Sequence, residues 1–496
     1  MLAALLSFRG VVAFWVVYGV AHALLRLSIT RTLTLDDSRA SELVQTLSLG
    51  YQVWQPPLYE WLLWASQQVF GAGIESHLFV RYSLIALLGI ATFGAVRAAV
   101  KDERWAAAAS LSLVFTYPVG WTFHEWATQT ILLSIACLAT MHAAIRHFER
   151  PAVGAVVALG FALALGIYSK FSFPLFVGGL LFAALSIPET RARLADARLL
   201  ISAAIVIAAI SPFAYWVWRV QGALVSELTA YMIASTQTHA VRAAFGLRRL
   251  AISIPIFLLP WLLFAALLAP QAFMRPAKDA PAPSMAERLA LRTMIFAAAL
   301  AAAGIALAGA TNIAERYMHP ILMVAPVYVF ARVARLAPGA ESVRRFAAFA
   351  LGAALAIFAV RFIAATDNPL TRKAERGLLQ PYAELADAFN ARGIVDGTVL
   401  SSRVRESGNL RAFLPDLRVV ARESYRAERP PRRASDDRSC VVIWAQGEEA
   451  ETRHFAPIDS LQAERLDVTS RPSPIIAPAS RTWFIARLDP KSPACM

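Results

Sequence analysis

Apolar runs long enough to cross a bilayer recur along this chain from residue 10 to residue 366. In lipid, every backbone N–H and C=O must find its partner within the chain, so such runs must form helices. Only 17% of the residues are charged and 57% are hydrophobic, which excludes an ordinary soluble protein. Eleven spans are predicted: 10–28, 78–97, 105–122, 126–145, 152–168, 172–187, 199–218, 250–270, 292–311, 317–334 and 346–365.

The charge pattern sets the predicted orientation. The net charge of +14 raises the question of nucleic-acid binding, which we reject because many basic residues lie in alternate loops between apolar runs, where they act as topology signals. The basic loops are therefore predicted to be cytoplasmic, with the N-terminus, and the tail from about residue 367 to lie outside. The segment 10–28 resembles a cleaved signal peptide, but its apolar stretch continues to Leu27, which favours a retained anchor.

The sequence thus predicts a mainly α, polytopic membrane fold over 1–366, followed by a small soluble α/β domain over 367–496. Two long outer loops, 29–77 and 219–249, are expected to carry helices at the membrane interface. These helices are predicted over 36–49, 57–70 and 222–240; the tail should hold a helix over 382–392, strands over 397–401, 417–421, 441–444 and 483–488, and a polar linker over 426–437.

The three cysteines form no zinc-binding spacing. Cys137 falls inside an apolar run and is interpreted as a packing residue. Cys440 and Cys495 could form a disulfide if the tail lies in an oxidising compartment.

Several polar groups are predicted to lie on the outer face. Asp36 and Asp37 follow the first span, and one could act as a general base, although acidic residues also suit the start of a helix. Glu125 likewise could be functional or a helix cap, Lys170 could bind a phosphate or snorkel, and Arg316 could bind a phosphate or pair with Glu315. Together with His319, these groups suit an anionic, lipid-linked substrate whose tail stays in the bilayer.

The pattern resembles the GT-C glycosyltransferases, in the bacterial branch related to protein O-mannosyltransferases and to the aminoarabinose transferase acting on lipid A. The resemblance covers roughly residues 10–335. It rests on Asp36-Asp37, Gly50-Tyr51, Gln55-Pro56-Pro57-Leu58-Tyr59-Glu60-Trp61-Leu62, Arg81, His124-Glu125, Gly166-Ile167-Tyr168-Ser169-Lys170-Phe171 and Arg316-Tyr317 with Pro320. Two positions depart from the family: Gln55 stands where many relatives have His or Lys, and Glu125 replaces the commoner Asp.

The resemblance implies an inverting transfer of a sugar from a polyprenyl-phosphate donor to a glycan, lipid or protein acceptor, on the periplasmic face of a bacterial inner membrane. It implies Asp36, Asp37 and Glu125 as catalytic candidates, and Lys170, Arg316 and Arg81 as ligands of the donor phosphate. Further substrate contacts are expected from Gln55, Tyr59, His124, Tyr317 and His319.

No cofactor is required by this reading, and a divalent metal ion on the acidic residues stays open. The rival functions are a transporter or lipid flippase and a non-catalytic protein of the same fold. A transporter should show internal repeats, broken helices and charges near the bilayer midplane, whereas this chain shows no repeat and its charges cluster at one interface.

Overall fold

The computed structural model describes residues 2–126, 128–233, 237–274, 280–336, 339–365, 377–422, 429–433, 436, 438–453, 455, 461–471 and 478–496. Within them, eight helices are long and apolar enough to cross a membrane. They are Phe8–Ile29, Ile74–Val100, Thr128–Glu149, Leu199–Val220, His239–Leu268, Met285–Ala308, His319–Leu336 and Glu341–Ala364. The predicted helical membrane fold is confirmed.

The remaining three predicted spans fall on shorter or broken helices. Val153–Ser169 and Phe173–Ser186 are apolar but have 17 and 14 residues, and they are joined by the tight turn that the sequence predicts. The prediction of one continuous helix over 105–122 is wrong. Two segments, Glu103–Phe115 and Pro118–Glu125, meet at a bend of 64°, because Pro118 has no N–H to continue the helical ladder.

The loop helices are partly as predicted. A helix that we call the acidic helix covers Leu35–Leu43, shorter than the predicted 36–49, and a helix that we call the aromatic helix covers Leu58–Phe70. The predicted separate helix over 222–240 is wrong: the helix that starts at Leu199 continues to Met232, and the next helix starts at His239.

The tail folds around a five-stranded sheet. The strands are β1 (Gly397–Ser401), β2 (Leu417–Ala421), β3 (Cys440–Ala445), β4 (Glu464–Thr469) and β5 (Ser480–Leu488), in the order β2-β1-β3-β5-β4. The first three are parallel neighbours and β5 runs antiparallel between β3 and β4. All residues of β1, β2 and β3 are buried, as expected of parallel strands covered on both faces.

Within the described residues, two helices of nine and ten residues and the short helix Glu449–Thr452 accompany this sheet. Tyr382–Asn390 matches the predicted helix, whereas Val404–Phe413, which we call the docking helix, and strand β4 were not predicted. Cys440 and Cys495 are joined in a disulfide, and Cys137 is a buried free thiol. The predicted linker 426–437 lies partly outside the described residues, as does the predicted domain boundary at 366.

The chain forms two compact units. The first comprises Met1–Gly19, Trp54–Leu58 and Ser83–Ile357, and contains most of the membrane helices. The second comprises Val20–Val53, Tyr59–Tyr82 and Phe358–Met496. The second unit therefore joins the acidic and aromatic helices to the C-terminal sheet, a grouping that residues distant in sequence achieve only in three dimensions.

Glu406 provides a test of the packing in the C-terminal domain. Its side chain is buried on the docking helix, accepts a hydrogen bond from Tyr382 at 3.2 Å and lies 3.0 Å from the Arg481 guanidinium. Burial, helped by the nearby Glu448 carboxylate and opposed by Arg481, raises the pKa of Glu406 from 4.5 to about 7. The folded chain therefore holds a proton there that the unfolded chain releases.

We expect this group to stabilise the fold fully below about pH 4.5 and to lose that contribution as the pH rises towards 7. The loss between pH 5.5 and 8 should be about 2 kcal/mol. Glu406→Gln should flatten the dependence of the thermal unfolding midpoint on pH, measured on the full chain in detergent. Glu384→Gln, at a half-buried position of the same domain, is the matched control, and an unchanged slope in Glu406→Gln would contradict the assignment.

Candidate active site

The acidic helix places two adjacent carboxylates in its first turn. Thr34 is the N-cap, because its side chain accepts a hydrogen bond from the backbone N–H of Asp37, and acidic residues in the first turn are stabilised by the helix dipole. Successive side chains on a helix point about 100° apart. Asp36 and Asp37 consequently have different surroundings, although they are neighbours in sequence.

Asp37 is buried, with an exposed fraction of 2%, and both of its carboxylate oxygens have partners. Its Oδ1 lies 2.6 Å from an Arg81 guanidinium nitrogen and 3.6 Å from Nδ1 of His77, and its Oδ2 accepts a hydrogen bond from Thr34 Oγ1 at 2.7 Å. Burial alone would raise the pKa of this carboxyl, but Arg81, His77 and Thr34 outweigh it and hold the pKa of Asp37 well below its usual value. Asp37 is therefore a permanent buried anion.

Asp36 is the open member of the pair. About a third of its side chain is exposed (34%), and its Oδ1 lies 3.5 Å from an Arg39 guanidinium nitrogen in an i,i+3 pair. A carboxylate in such a position can reach a substrate hydroxyl without first breaking a buried ion pair. Asp36 thus fits the geometric requirement for a general base better than Asp37 does.

The second unit also gathers cations around this helix. Arg81 is wholly buried at 0% exposure, and its guanidinium interacts electrostatically with Tyr59 and with both aspartates. Arg26 and Arg361 act electrostatically on the same group of side chains. This environment explains why the fully enclosed carboxylate of Asp37 stays ionised.

A separate cationic cluster occupies the first unit. Lys170 follows the helix Val153–Ser169, and its Nζ donates a hydrogen bond to Thr130 Oγ1 at 2.8 Å. The same Nζ lies 6.0 Å from the centre of the Tyr317 ring. Lys170 is half-buried, so its ammonium is held in place rather than trailing in solvent.

Arg316 approaches the same tyrosine. Its guanidinium carbon lies 5.1 Å from the centre of the Tyr317 ring and 5.5 Å from that of Trp126, and it donates a hydrogen bond to the Tyr317 hydroxyl at 3.2 Å. Arg316 itself is exposed. Two cations therefore lie within 6.0 Å of one aromatic ring. We call Lys170, Arg316 and Tyr317 the cationic cluster.

The two predicted histidines, His319 and His124, are buried within the first unit. His319 Nδ1 lies 2.9 Å from Ser134 Oγ, and Ser134 is one helical turn after Thr130 on Thr128–Glu149. His124 Nε2 lies 2.8 Å from the hydroxyl of Tyr18. Both side chains have an exposed fraction of only 2%, so they are placed to orient neighbouring elements rather than to meet a substrate.

Glu125 and Gln55 also belong to the first unit, and both are half-buried. Glu125 ends the short helix Phe123–Glu125. The side-chain oxygen of Gln55 is shielded from solvent and has no hydrogen-bond partner within the described residues. It is therefore available to accept a hydrogen bond from a bound molecule.

Sequence reasoning missed four contributors: Arg39, His77, Thr130 and Trp126. Two of them carry a helical spacing signal, since Arg39 is three residues after Asp36 and His77 is four residues before Arg81. Thr130 and Trp126 carry no such signal, because their partners are distant in sequence. The described residues contain no group of three or more His, Cys, Asp or Glu side chains that could hold a metal ion.

Known proteins resemble this chain both in sequence and in fold. Residues 54–216 match the family of dolichyl-phosphate-mannose-protein mannosyltransferases. The lipopolysaccharide core galacturonosyltransferases RgtA and RgtB of Rhizobium johnstonii are 27% and 24% identical to it, each alignment covering 86% of this chain and 85% of the relative. The chain is a glycosyltransferase, similar in sequence to these relatives.

The crystal structures of ArnT from Cupriavidus metallidurans share the fold of this chain. The structure bound to undecaprenyl phosphate matches with a TM-score of 0.64 at 13% identity, covering 96% of this chain and 98% of that one. The apo structure matches with a TM-score of 0.60 at 14% identity, covering 95% and 98%. At this identity the match establishes the fold alone. Together with the sequence relatives it confirms the prediction of a glycosyltransferase with a GT-C-like fold.

The buried Asp37–Arg81 pair gives a stability prediction. Arg81→Met should lower the free energy of unfolding by about 3–5 kcal/mol, because it leaves a buried carboxylate without its main counter-charge. The double variant Asp37→Asn with Arg81→Met should recover part of the loss. Thermal unfolding of the full chain in detergent measures both.

Arg31→Met is the matched control, since Arg31 pairs with Glu75 at 2.8 Å while remaining 68% exposed. That surface pair should contribute at most about 1 kcal/mol. Equal losses in Arg81→Met and Arg31→Met would contradict the role assigned to the buried pair.

Proposed function

We propose that this glycosyltransferase transfers a sugar from a polyprenyl-phosphate donor to a hydroxyl acceptor, with inversion and with Asp36 as the general base. The observation that carries the proposal is the difference between the two aspartates of the acidic helix. Asp37 is buried against Arg81, whereas about a third of the Asp36 side chain is exposed. A base must be able to reach its proton, and only an accessible carboxylate can do so.

In the proposed step, the acceptor oxygen attacks the anomeric carbon as the bond from that carbon to the phosphate oxygen breaks. The acceptor proton passes to the Asp36 carboxylate, and the bonding electrons leave with the polyprenyl phosphate. A single displacement of this kind inverts the anomeric configuration. The growing negative charge on the leaving phosphate must be stabilised by cations, which are most effective where water is scarce.

We assign this stabilisation to the cationic cluster. Lys170 and Arg316 are held by a tyrosine ring and by neutral hydroxyls, an arrangement that suits a phosphate bound by a point charge and a planar guanidinium. Arg81 was predicted as a third phosphate ligand. Its complete burial and its contact with Asp37 favour a different role, which is to keep Asp37 ionised and the acidic helix in place.

The other predicted residues receive roles consistent with their surroundings. Gln55 offers an acceptor oxygen for a substrate hydroxyl, and Glu125 stays a candidate for substrate positioning. Tyr317 carries the two cations, whereas His319 and His124 support the elements around them. Tyr59 is buried at 1% exposure and is better suited to supporting Arg81 than to contacting substrate.

The relatives suggest the first substrates to test. RgtA and RgtB are named for transfer of galacturonic acid to the lipopolysaccharide core, and the ArnT crystal structure contains undecaprenyl phosphate. We therefore propose an undecaprenyl-phosphate-linked uronic acid as donor and lipopolysaccharide core as acceptor. The disulfide between Cys440 and Cys495 supports an oxidising, periplasmic location for the C-terminal domain, in a protein of the bacterial inner membrane.

Asp36→Asn should reduce transfer by about 10²–10⁴-fold, because it removes the base while preserving the shape of the side chain. The protein should insert and unfold like the wild type, since Asp36 is partly exposed. The assay uses purified protein in detergent, radiolabelled polyprenyl-phosphate sugars and a membrane extract as acceptor. Asp37→Asn is the comparison: it should lower stability as well as activity. A fully active Asp36→Asn protein would move the base to Asp37 or Glu125.

Lys170→Ala and Arg316→Ala should each weaken the apparent affinity for the donor by about 10-fold or more, since each removes a charged contact to phosphate. Arg316→Lys should recover only part of the affinity, because an ammonium lacks the planar guanidinium face.

Arg249→Ala is the matched control for these variants, as Arg249 also stacks on an aromatic ring, that of Phe245 at 5.3 Å, but is not part of the cationic cluster. If Lys170→Ala and Arg316→Ala had the same donor KM as Arg249→Ala, phosphate binding by the cluster would be contradicted.

A further inference from the structure

The C-terminal domain lies directly on the acidic helix within the second unit. The docking helix crosses the acidic helix at Gly408, whose backbone is so close that an added Cβ would sit 2.1 Å from the carbonyl oxygen of Ser38. No real Cβ tolerates such a contact with backbone atoms, so only glycine permits this approach. Ser38 immediately follows the two aspartates in the sequence.

Asn409 then fixes both sides of the acidic turn. Its side chain is completely buried. Its Oδ1 accepts a hydrogen bond from the Leu33 N–H at 2.7 Å, and its Nδ2 donates to Ser38 Oγ at 3.0 Å. Ser38 Oγ in turn donates to the carbonyl of Thr34 at 2.7 Å. The Asn409 side-chain amide therefore links Leu33, the residue before the N-cap, to Ser38, the residue after Asp37.

The remainder of the acidic helix is held by the same domain. Arg411 has an exposed fraction of 8% and donates to the carbonyl of Ser41 at 2.8 Å and to Oε1 of Gln67 on the aromatic helix at 2.9 Å. Gln45 exchanges two hydrogen bonds with the backbone of Val419 in β2, at 2.8 and 2.9 Å. Buried polar contacts of this kind rigidify a segment because every group is satisfied only in one arrangement.

We propose that Asn409 and Gly408 are positioning residues for the transfer reaction, through which the C-terminal domain holds the turn that carries Asp36. This inference rests on the proposed function of Asp36. Neither residue needs to touch substrate: the docking helix controls where the base points and how firmly the first turn of the acidic helix is formed. Displacement of a reacting group by about 1 Å can cost about 10²-fold in rate.

Asn409→Ala tests the proposal. We expect kcat to fall by about 10–100-fold at an unchanged KM for the donor, because the base moves while the cationic cluster does not. The loss should persist when kcat is expressed per folded molecule, with the folded fraction measured by thermal unfolding of the same preparation. A mere loss of folded protein would disappear after this correction.

Two matched controls separate position from stability. Asn390→Ala removes an exposed asparagine from the helix Tyr382–Asn390 of the same domain, and it should leave kcat unchanged. Gly408→Ala should reproduce the effect of Asn409→Ala, whereas Gly154→Ala, at a helical glycine with open space around its missing Cβ, should not. A wild-type kcat per folded molecule in both Asn409→Ala and Gly408→Ala would overturn the proposal.

A second measurement is independent of activity. Hydrogen exchange of the backbone amides of residues 35–43 should become at least 10-fold faster in Asn409→Ala, while exchange in β1 and β3 stays as in the wild type. If the wild type shows no transfer but this exchange pattern appears, the proposed function fails and the positioning contact stands. Unchanged exchange in the acidic helix would overturn the positioning role whatever the activity.

Discussion

A bilayer leaves the backbone no partner but itself, and most of this structure follows from that constraint. The apolar part of the chain is helical wherever it is long enough, and departures from a straight helix occur where the sequence cannot complete the hydrogen-bond ladder. The bend at Pro118 is the clearest case. It ends the first half of a predicted span and starts a short segment that presents His124 and Glu125. The break at Pro118 thus places His124 and Glu125 on a short segment separate from the preceding helix.

Charges obey the same constraint, because an ionised group inside the protein needs a counter-charge and hydrogen bonds. Asp37 and Arg81 satisfy each other, and Thr34 and His77 complete the coordination of the carboxylate. This pair has a chemical consequence for its neighbour. Because Asp37 is buried in this pair while about a third of the Asp36 side chain is exposed, two residues of identical chemistry have different surroundings.

The C-terminal domain also takes on a more central role than its position at the end of the chain implies. Its sheet has its own buried core, built from residues such as Leu385, Val399 and Trp483, and it could be regarded as a separate module. Yet the docking helix meets the acidic helix through a glycine contact and a fully buried amide. Such contacts depend on close-packed surfaces, so changes in this domain are transmitted to the turn that carries Asp36.

Much of the architecture could be read from the sequence. Hydrophobic length and period located most of the membrane helices of the described residues, and β1 and β2 were predicted to their end residues. These features are local, since each depends on a run of neighbouring residues. The acidic pair, Lys170 and Arg316 were also visible as isolated polar groups in apolar surroundings. Strand β4 escaped prediction because its alternating, largely exposed residues carry a weak signal.

What the sequence could not decide is which of these groups contact one another. Asp36 and Asp37 are equivalent in the sequence. They differ in the folded chain because Arg81, 44 residues after Asp37, forms an ion pair with Asp37. Arg316 and Lys170 share a tyrosine, and Asn409 reaches Ser38 over a separation of 371 residues. Local periodicity reports the face of an element that will be buried, but the partner buried against it is chosen by the packing of the whole chain. The sequence by itself therefore determined most of the membrane helices and the candidate chemistry. The tertiary structure decided which aspartate is buried against Arg81 and which keeps an exposed side chain.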